Sequence, residues 1–179
     1  MRALSFLSAA AFLAAAGSAV PAYALTDTNF TYSAFQAGYV EISPIMLTAQ
    51  TGADTDAVHA RDNQLGLTSA SGCYVAQVQI PNGAWLASID VYYATIHTGS
   101  SFYAELTRHQ FSNVGLDRIV SQYIKDTTNT RKKITYTISN ANHRLVRTDL
   151  YAYGFGICLH GGDRFYGARL NYHFNSAGE

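Results

Sequence analysis

Residues 85–96 read Trp-Leu-Ala-Ser-Ile-Asp-Val-Tyr-Tyr-Ala-Thr-Ile, a stretch rich in aromatic and β-branched side chains. Apolar residues recur at every second position, which is typical of a β-strand with one buried face. The alternation predicts a packed face and a mixed face: Trp85, Ala87, Ile89, Val91 and Tyr93 against Leu86, Ser88, Asp90 and Tyr92. The flanking sequence has the same period, so a β-sheet protein is expected.

The same alternation continues toward the C-terminus. From residue 73 onward it predicts seven strands, at 73–80, 85–96, 102–109, 118–125, 132–138, 150–159 and 165–174. Turn-forming residues separate them, and Pro-Asn-Gly at 81–83 and His-Gly-Gly-Asp at 160–163 are clear hairpin signals. In the last strand the period places Tyr166 on the face of Leu170, with Phe165 on the other face.

The sequence before residue 73 is less regular. Residues 30–40 and 41–47 predict one or two more strands, and Pro44 favours an edge position because it cannot donate to a sheet ladder. Residues 48–71 are rich in Gly, Asp and Thr, and they predict a long excursion with a short helical turn near residues 56–61.

Half-solvated strands joined by short turns form antiparallel sheets, since parallel sheets need long crossovers. We therefore predict an all-β fold, an antiparallel, jelly-roll-like β-sandwich of about eight to nine strands. It occupies a single domain at residues 25–174, followed by a flexible tail at 175–179.

Residues 1–24 have the pattern of an export signal. A basic Arg2 precedes an apolar stretch at 3–16, and Pro-Ala-Tyr-Ala at 21–24 ends in a small-x-small pattern. The apolar stretch is too short for a membrane anchor, so we predict cleavage after Ala24 and a location in the periplasm or outside the cell. Cys73 and Cys158 would then meet an oxidising compartment, where a disulfide between them is expected; the alternative is two buried thiols.

The overall composition is that of a folded, weakly charged protein. The 12 basic and 12 acidic residues balance, and charged residues make up only 13% of the chain. Such a chain has no strong field to attract nucleic acid, and no later segment is apolar enough to span a membrane. We expect no nucleic-acid partner; an extracellular or envelope glycan or protein is the expected kind of partner, and the oligomeric state is left open.

Two segments resemble known proteins. Residues 74–86, Tyr-Val-Ala-Gln-Val-Gln-Ile-Pro-Asn-Gly-Ala-Trp-Leu, and the Tyr-rich strand after them resemble small secreted bacterial proteins in which an apolar strand runs into Leu-Pro-x-Gly-Ala. Residues 164–172, Arg-Phe-Tyr-Gly-Ala-Arg-Leu-Asn-Tyr, resemble the closing strand of the same group. The resemblance covers 73–174 and implies a secreted β-sandwich, with no catalytic residues to carry over. The two cysteines are not among the residues that carry this resemblance.

Motifs for chemistry are scarce. The six His residues have no metal-ligand spacing, and Asp54 and Asp56 lack the rest of an EF-hand loop, so no metal and no cofactor are predicted. His97, His143 and His160 fall in predicted loops and His109 at a strand end. Glycoside hydrolysis needs two facing carboxyl groups, for which Asp90, Glu105 and Asp149 are the strand candidates. Asp90 and Glu105 alternate with apolar neighbours, so both are explained more simply as outward-facing members of cross-strand ion pairs. No catalytic residue is assigned.

Basic residues concentrate at Arg131-Lys132-Lys133, near Arg144 and Arg147. This cluster is suited to an anionic group on an envelope polymer. A run of three cations at the start of a strand is more often a solvated sheet edge that blocks association with other sheets.

Aromatic richness without charge is the most suggestive feature. The chain has 13 Tyr, 9 Phe and 1 Trp. Strand tyrosines exposed on one surface would stack on sugar rings: Tyr92, Tyr103, Tyr123, Tyr136 and Tyr153. The stronger explanation is that Tyr is simply a good strand residue, which covers a half-buried pleat while its hydroxyl stays in water.

We expect a secreted, non-enzymatic β-sandwich with a binding or structural role outside the cytoplasm. The first alternative is a carbohydrate-binding module that uses surface Tyr and Trp. The second is a small polysaccharide hydrolase that uses Glu105 or Asp90 with a loop His.

Overall fold

The computed structural model describes residues 31–50, 57–60, 64–67, 71–96, 102–125 and 127–176. Strands dominate these ranges. They are β1 (Thr31–Ile42), β2 (Thr48–Ala49), β3 (Ala57–Ala60), β4 (Gln64–Leu67), β5 (Gly72–Val78), β6 (Trp85–Thr95), β7 (Phe102–Gln110), β8 (Leu116–Ile124), β9 (Thr128–Thr137), β10 (Tyr151–Leu159) and β11 (Arg164–Ser176). Helix in these ranges is limited to a 3-10 turn, Pro44–Met46, and one α-helical turn, α1 (Ala141–Arg144). Neither is long enough to cross a membrane.

The strands form two antiparallel sheets. The six-stranded sheet has the order β3-β4-β11-β6-β9, and β1 also pairs with β11. The five-stranded sheet has the order β2-β5-β10-β7-β8. From β5 onward the chain alternates between the sheets, apart from the β7–β8 hairpin, which is the connectivity of a jelly roll. The prediction of an all-β, jelly-roll-like sandwich is therefore confirmed, with more strands in the described ranges than the eight or nine expected.

Most strand positions follow the sequence period. The stretch predicted at 85–96 is the strand Trp85–Thr95, and the one predicted at 102–109 is Phe102–Gln110. The predicted turns close as expected: the Ala84 amide donates to the Pro81 carbonyl at 3.2 Å. Gly83 there has a φ of 77°, which a residue without Cβ adopts without strain.

The region before β5 contains one wrong prediction. Residues 57–60 form a strand rather than part of a helical turn, because they pair with β4, which in turn pairs with the start of β11. Residues 56 and 61 lie outside the described ranges. Residue 30 lies outside the described ranges; the rest of the segments predicted at 30–40 and 41–47 contains β1, which runs through to Ile42, and the 3-10 turn that Pro44 begins.

Two β-bulges change which side chains face outward. In β6 the pairing with β11 skips Ala87, so Leu86 is fully buried while Trp85 is 38% exposed. In β11 the bulge lies between Phe165 and Gly167, and it leaves Phe165 in the core with Tyr166 outside. The predicted faces were therefore wrong at Trp85, Leu86, Phe165 and Tyr166, because a bulge shifts the period by one residue.

The core lies between the two sheets. Two aromatic pairs join them: Phe155 stacks on Phe165 with ring centres 5.6 Å apart, and Tyr93 lies 5.3 Å from Phe102. Such pairs add about 0.5–1.5 kcal/mol each beyond their burial. This packing fixes the orientation of both outer faces.

The predicted disulfide is confirmed. Cys73 on β5 and Cys158 on β10 are directly opposed in the five-stranded sheet, and their sulfurs are bonded. The bond closes a loop with a sequence separation of 85 residues. In the chain-entropy description, a loop of that length stabilises the fold by at most roughly 4–5 kcal/mol.

Candidate functional site

The five tyrosines proposed from the sequence do not share one surface. Tyr92 lies on the outer face of the six-stranded sheet, beside Arg131 and Tyr166. Tyr103 and Tyr123 lie on the outer face of the five-stranded sheet, with ring centres 4.9 Å apart. Tyr136 and Tyr153 pack with the core. Of the five predicted tyrosines, only Tyr92 lies on the outer face of the six-stranded sheet.

The two core tyrosines differ in how their hydroxyl groups are satisfied. Tyr153 is 3% exposed, and its hydroxyl accepts a hydrogen bond from the Arg147 amide at 3.0 Å. The buried hydroxyl of Tyr136 has no hydrogen-bond partner among the described residues. Burial raises the pKa of Tyr136 to about 12, with a smaller contribution from Tyr93, and it also raises the pKa of Tyr153. Both groups therefore act in packing.

Tyr103 belongs to a compact polar cluster on the five-stranded sheet. Its hydroxyl donates to Glu105 at 2.9 Å and lies 2.8 Å from the Ser121 hydroxyl. Arg118 donates to the same Glu105 oxygen at 3.3 Å. The pKa of Tyr103 is raised, mainly by burial. Tyr123 covers one side of this cluster and is 56% exposed.

The outer face of the six-stranded sheet carries the richer arrangement. The register aligns side chains across four strands, with β9 and β6 on one side and β11 and β1 on the other. Successive rows of this face are Thr137, Ser88, Asn171 and Tyr39, then Thr135, Asp90, Arg169 and Glu41, then Lys133 and Tyr92. Because every member stands on a paired strand, the backbone fixes the spacing of these groups.

Asp90 is the centre of this face. The Thr135 hydroxyl donates to Asp90 Oδ1, and the Asn171 amide donates to Asp90 Oδ2 at 3.3 Å and to Ser88 Oγ at 3.1 Å. Lys133 Nζ lies 3.7 Å from the same Oδ2 atom. These neighbours cover Asp90, which is only 8% exposed although it points away from the core. The result is a fixed group of hydroxyl, amide and carboxylate oxygens.

One end of the face is built from two tyrosines and an arginine. The Arg131 guanidinium carbon lies 5.2 Å from the Tyr92 ring centre and 5.3 Å from that of Tyr166. These residues line a cavity of about 290 Å³ that continues to Glu41 and Arg169. Arg169 donates to Glu41 at 2.8 Å and lies over the Tyr39 ring at 4.3 Å. Glu41 raises the pKa of Arg169 through this hydrogen bond.

The other end is built around Trp85. The guanidinium carbon of Arg144 lies 6.0 Å from the centre of the Trp85 ring. The Arg144 guanidinium is held there because its Nε donates to the Leu86 carbonyl at 3.2 Å. Trp85, Arg144, Phe35 and His173 line a broad hollow of about 550 Å³. Trp85 and Tyr92 are thus at opposite ends of one strand, roughly 20 Å apart by strand rise.

The remaining sequence candidates do not converge. Asp90 and Glu105 lie on opposite outer faces of the sandwich, so they do not form the facing pair that glycoside hydrolysis uses. Asp149 pairs with Arg147 at 2.8 Å in an exposed loop, and this hydrogen bond lowers the pKa of Asp149. The basic cluster is also divided, because Arg131 and Arg144 lie at opposite ends of the face.

The histidines are likewise dispersed. His109 lies 3.2 Å from the Gly115 carbonyl and His143 lies 3.9 Å from Asp117, while the His160 amide donates to Asp163. His97, Asp54 and Asp56 lie outside the described residues. Within the described ranges, no group of three or more His, Cys, Asp or Glu is placed to hold a metal ion.

The sequence interpretation missed Trp85, Tyr166, Arg169 and Asn171 as members of one face. Strict alternation assigned Trp85 to the core and Tyr166 to the packed side. Gly167 is the one local signal for the bulge, since its φ of 132° favours glycine.

Comparison with known proteins gives a fold but no family. No protein-family model matches the chain, and no curated protein matches its sequence. The xylan-binding module CBM15 matches with a TM-score of 0.51 and 12% identity, over 80% of this chain and 99% of that one. The module CBM6cm-2 of Cellvibrio mixtus lichenase 5A, in complex with cellotriose, has a TM-score of 0.46 and 17% identity, over 74% and 95%.

The C-terminal CBM6 of LamC from Zobellia galactanivorans has a TM-score of 0.46 and 10% identity, over 74% of this chain and 98% of that one. At 12% identity, the match to CBM15 is evidence of a shared β-sandwich fold alone. The resemblance to small secreted bacterial proteins stays a prediction.

Proposed function

We propose that this protein binds carbohydrate on the outer face of its six-stranded sheet. The observation that carries the proposal is the arrangement along β6: Trp85 at one end, Tyr92 at the other, and the polar side chains that cover Asp90 between them. Sugar rings have apolar faces that stack on aromatic side chains and hydroxyl groups that meet carboxylate, amide and hydroxyl groups. The face offers both kinds of contact along one strand, β6.

The rigidity of the face supports the proposal. Asp90 is already held by Thr135 and Asn171, and its strand is paired on both sides. A ligand would therefore meet groups whose conformational entropy is already lost, which favours binding. The span of roughly 20 Å between Trp85 and Tyr92 suits an extended oligosaccharide better than a single sugar.

Two further features agree with this function. The chain shares its sandwich fold with the xylan-binding module CBM15. The disulfide and the apolar N-terminal stretch are consistent with export, so we propose that the protein works outside the cytoplasm as the single domain at 25–174. Carbohydrate binding is now preferred to the broader expectation of a structural or interaction role.

The test is a panel of soluble and insoluble glycans, which should include xylan, β-glucans and acidic polysaccharides. Wild-type protein should bind at least one of them by affinity electrophoresis and calorimetry. Trp85→Ala and Tyr92→Ala should weaken that binding, whereas Tyr123→Ala, which removes an exposed ring from the other sheet, should not. Binding to none of the glycans would refute the proposal.

A further inference from the structure

The end of the face that contains Arg131 has an unusual charge pattern. Six charged side chains lie there or in the adjacent rows, and they are Glu41, Asp90, Arg131, Lys133, Arg164 and Arg169. Four are basic and two are acidic, so two positive charges are left over. The pairings show which residues carry them.

Four of these six charges form ion pairs. Arg169 donates to Glu41 at 2.8 Å, and Lys133 lies 3.7 Å from Asp90. No carboxylate in the described ranges pairs with Arg131 or Arg164, and the Arg131 guanidinium lies over the Tyr92 and Tyr166 rings instead. Of these two unpaired cations, Arg131 is the one that lines the cavity.

The position of Arg131 also suits ligand recognition. The two tyrosine rings support its side chain, which reduces the conformational entropy that binding would otherwise remove. Its guanidinium borders a cavity of about 290 Å³, large enough for one substituted sugar ring. A guanidinium presents a planar fork of N–H donors that matches a carboxylate or sulfate group in two-point contact.

We infer that this cavity selects an acidic sugar residue, whose carboxylate or sulfate group pairs with Arg131 while its ring packs on Tyr92 or Tyr166. The inference rests on the proposed carbohydrate binding and adds the ligand class. The rest of the oligosaccharide extends along β6 toward Trp85. Neutral glycans lack the anion and bind more weakly at this end of the face.

The experiment uses matched ligands that differ in whether their sugars carry the anionic group. Oligogalacturonides are compared with the same oligosaccharides after reduction of their carboxyl groups, and sulfated galactan oligosaccharides with their desulfated forms. Calorimetry with the full exported chain should give at least about tenfold tighter binding to one charged member than to its neutral partner, the size expected for one charge-assisted hydrogen bond. The pair that shows the preference identifies the anionic group.

Variants tie the preference to the cavity. In Arg131→Gln the ratio of charged-ligand to neutral-ligand affinity should fall to about one. Arg131→Lys should retain part of the preference, because an ammonium point charge replaces the planar guanidinium donors. Arg118→Gln makes the same change in net charge on the five-stranded sheet and should leave the ratio unchanged. Raising the salt concentration should reduce the wild-type ratio.

The outcomes separate the two proposals. Equal binding of charged and neutral members, or a ratio that survives Arg131→Gln, overturns the acidic-sugar inference but leaves carbohydrate binding intact. Binding to neither member of either pair also overturns the inference; neutral glycans in the wider panel then decide whether carbohydrate binding itself survives.

Discussion

Asn171 on β11 donates its side-chain amide to Asp90 on β6 at 3.3 Å, across the middle of the six-stranded sheet. The two strands are neighbours in the sheet although 81 residues separate the pair in sequence. Asp90 also accepts from Thr135 on β9, so three strands meet at one carboxylate. This contact places the hydrogen-bonding groups of the proposed binding face between its aromatic ends.

Asp90→Ala should destabilise the protein by about 1–2 kcal/mol, because the Thr135 and Asn171 donors lose a shared acceptor and Lys133 loses its partner. Asp90→Asn keeps an acceptor of the same shape and should cost about half as much. Urea unfolding measures both values. Equal stability of Asp90→Ala and wild type would show that the carboxylate does not organise this face.

Tyr136→Phe should stabilise the fold by about 1 kcal/mol, because it removes a buried hydroxyl that has no partner in the described ranges. Tyr153→Phe is the matched change and should destabilise by about 1 kcal/mol, since the Arg147 amide loses its acceptor. Opposite signs in chemical denaturation are the expected result, and equal signs would contradict the hydrogen-bond assignment.

The raised pKa of Tyr136 predicts a loss of folding stability at alkaline pH. The pKa of Tyr136 is raised to about 12 in the folded protein, above the value near 10 of an unfolded tyrosine. Its neutral form is therefore favoured in the fold. The associated stability is fully present below about pH 10 and is lost as pH rises from there through 12. Tyr136→Phe should lose less stability than wild type between about pH 10 and 12, measured by urea unfolding at each pH.

Arg147 and Asp149 predict a local titration. The hydrogen bond from Arg147 lowers the pKa of Asp149, so any stability from the pair is present above about pH 4 and is lost as pH falls through the folded-state pKa. NMR titration of the Asp149 carboxyl should give a pKa below the ordinary value. In Arg147→Gln it should return toward that value, and an unchanged pKa would place its cause elsewhere.

The fold was largely predictable from sequence, whereas the site was predictable only in composition. Period-two alternation located the seven later strands because their core faces are strictly apolar, as at Ile89, Val91 and Tyr93. It failed at β3, where pairing with β4 decides the conformation. Local propensity does not encode such a partner.

The membership of the binding face depends on pairing between distant strands and on two bulges. A one-residue shift at Ala87 moves Trp85 out of the core, and another before Gly167 moves Tyr166 beside Arg131. Neither shift follows from composition or spacing. Tyr92 was identified because it alternates with buried neighbours in an uninterrupted part of β6, while Tyr136 and Tyr153 fall on the inner side of their strands.

The central claim is that Trp85 and Tyr92 bind the two ends of one oligosaccharide. Calorimetric titration with the tightest ligand of the panel tests it most directly, with wild type, Trp85→Ala, Tyr92→Ala and the control Tyr123→Ala. Each of the two site variants should weaken binding about tenfold or more, equivalent to roughly 1.4 kcal/mol, at unchanged thermal stability. Wild-type affinity in both site variants, or an equal loss in Tyr123→Ala, would contradict the account.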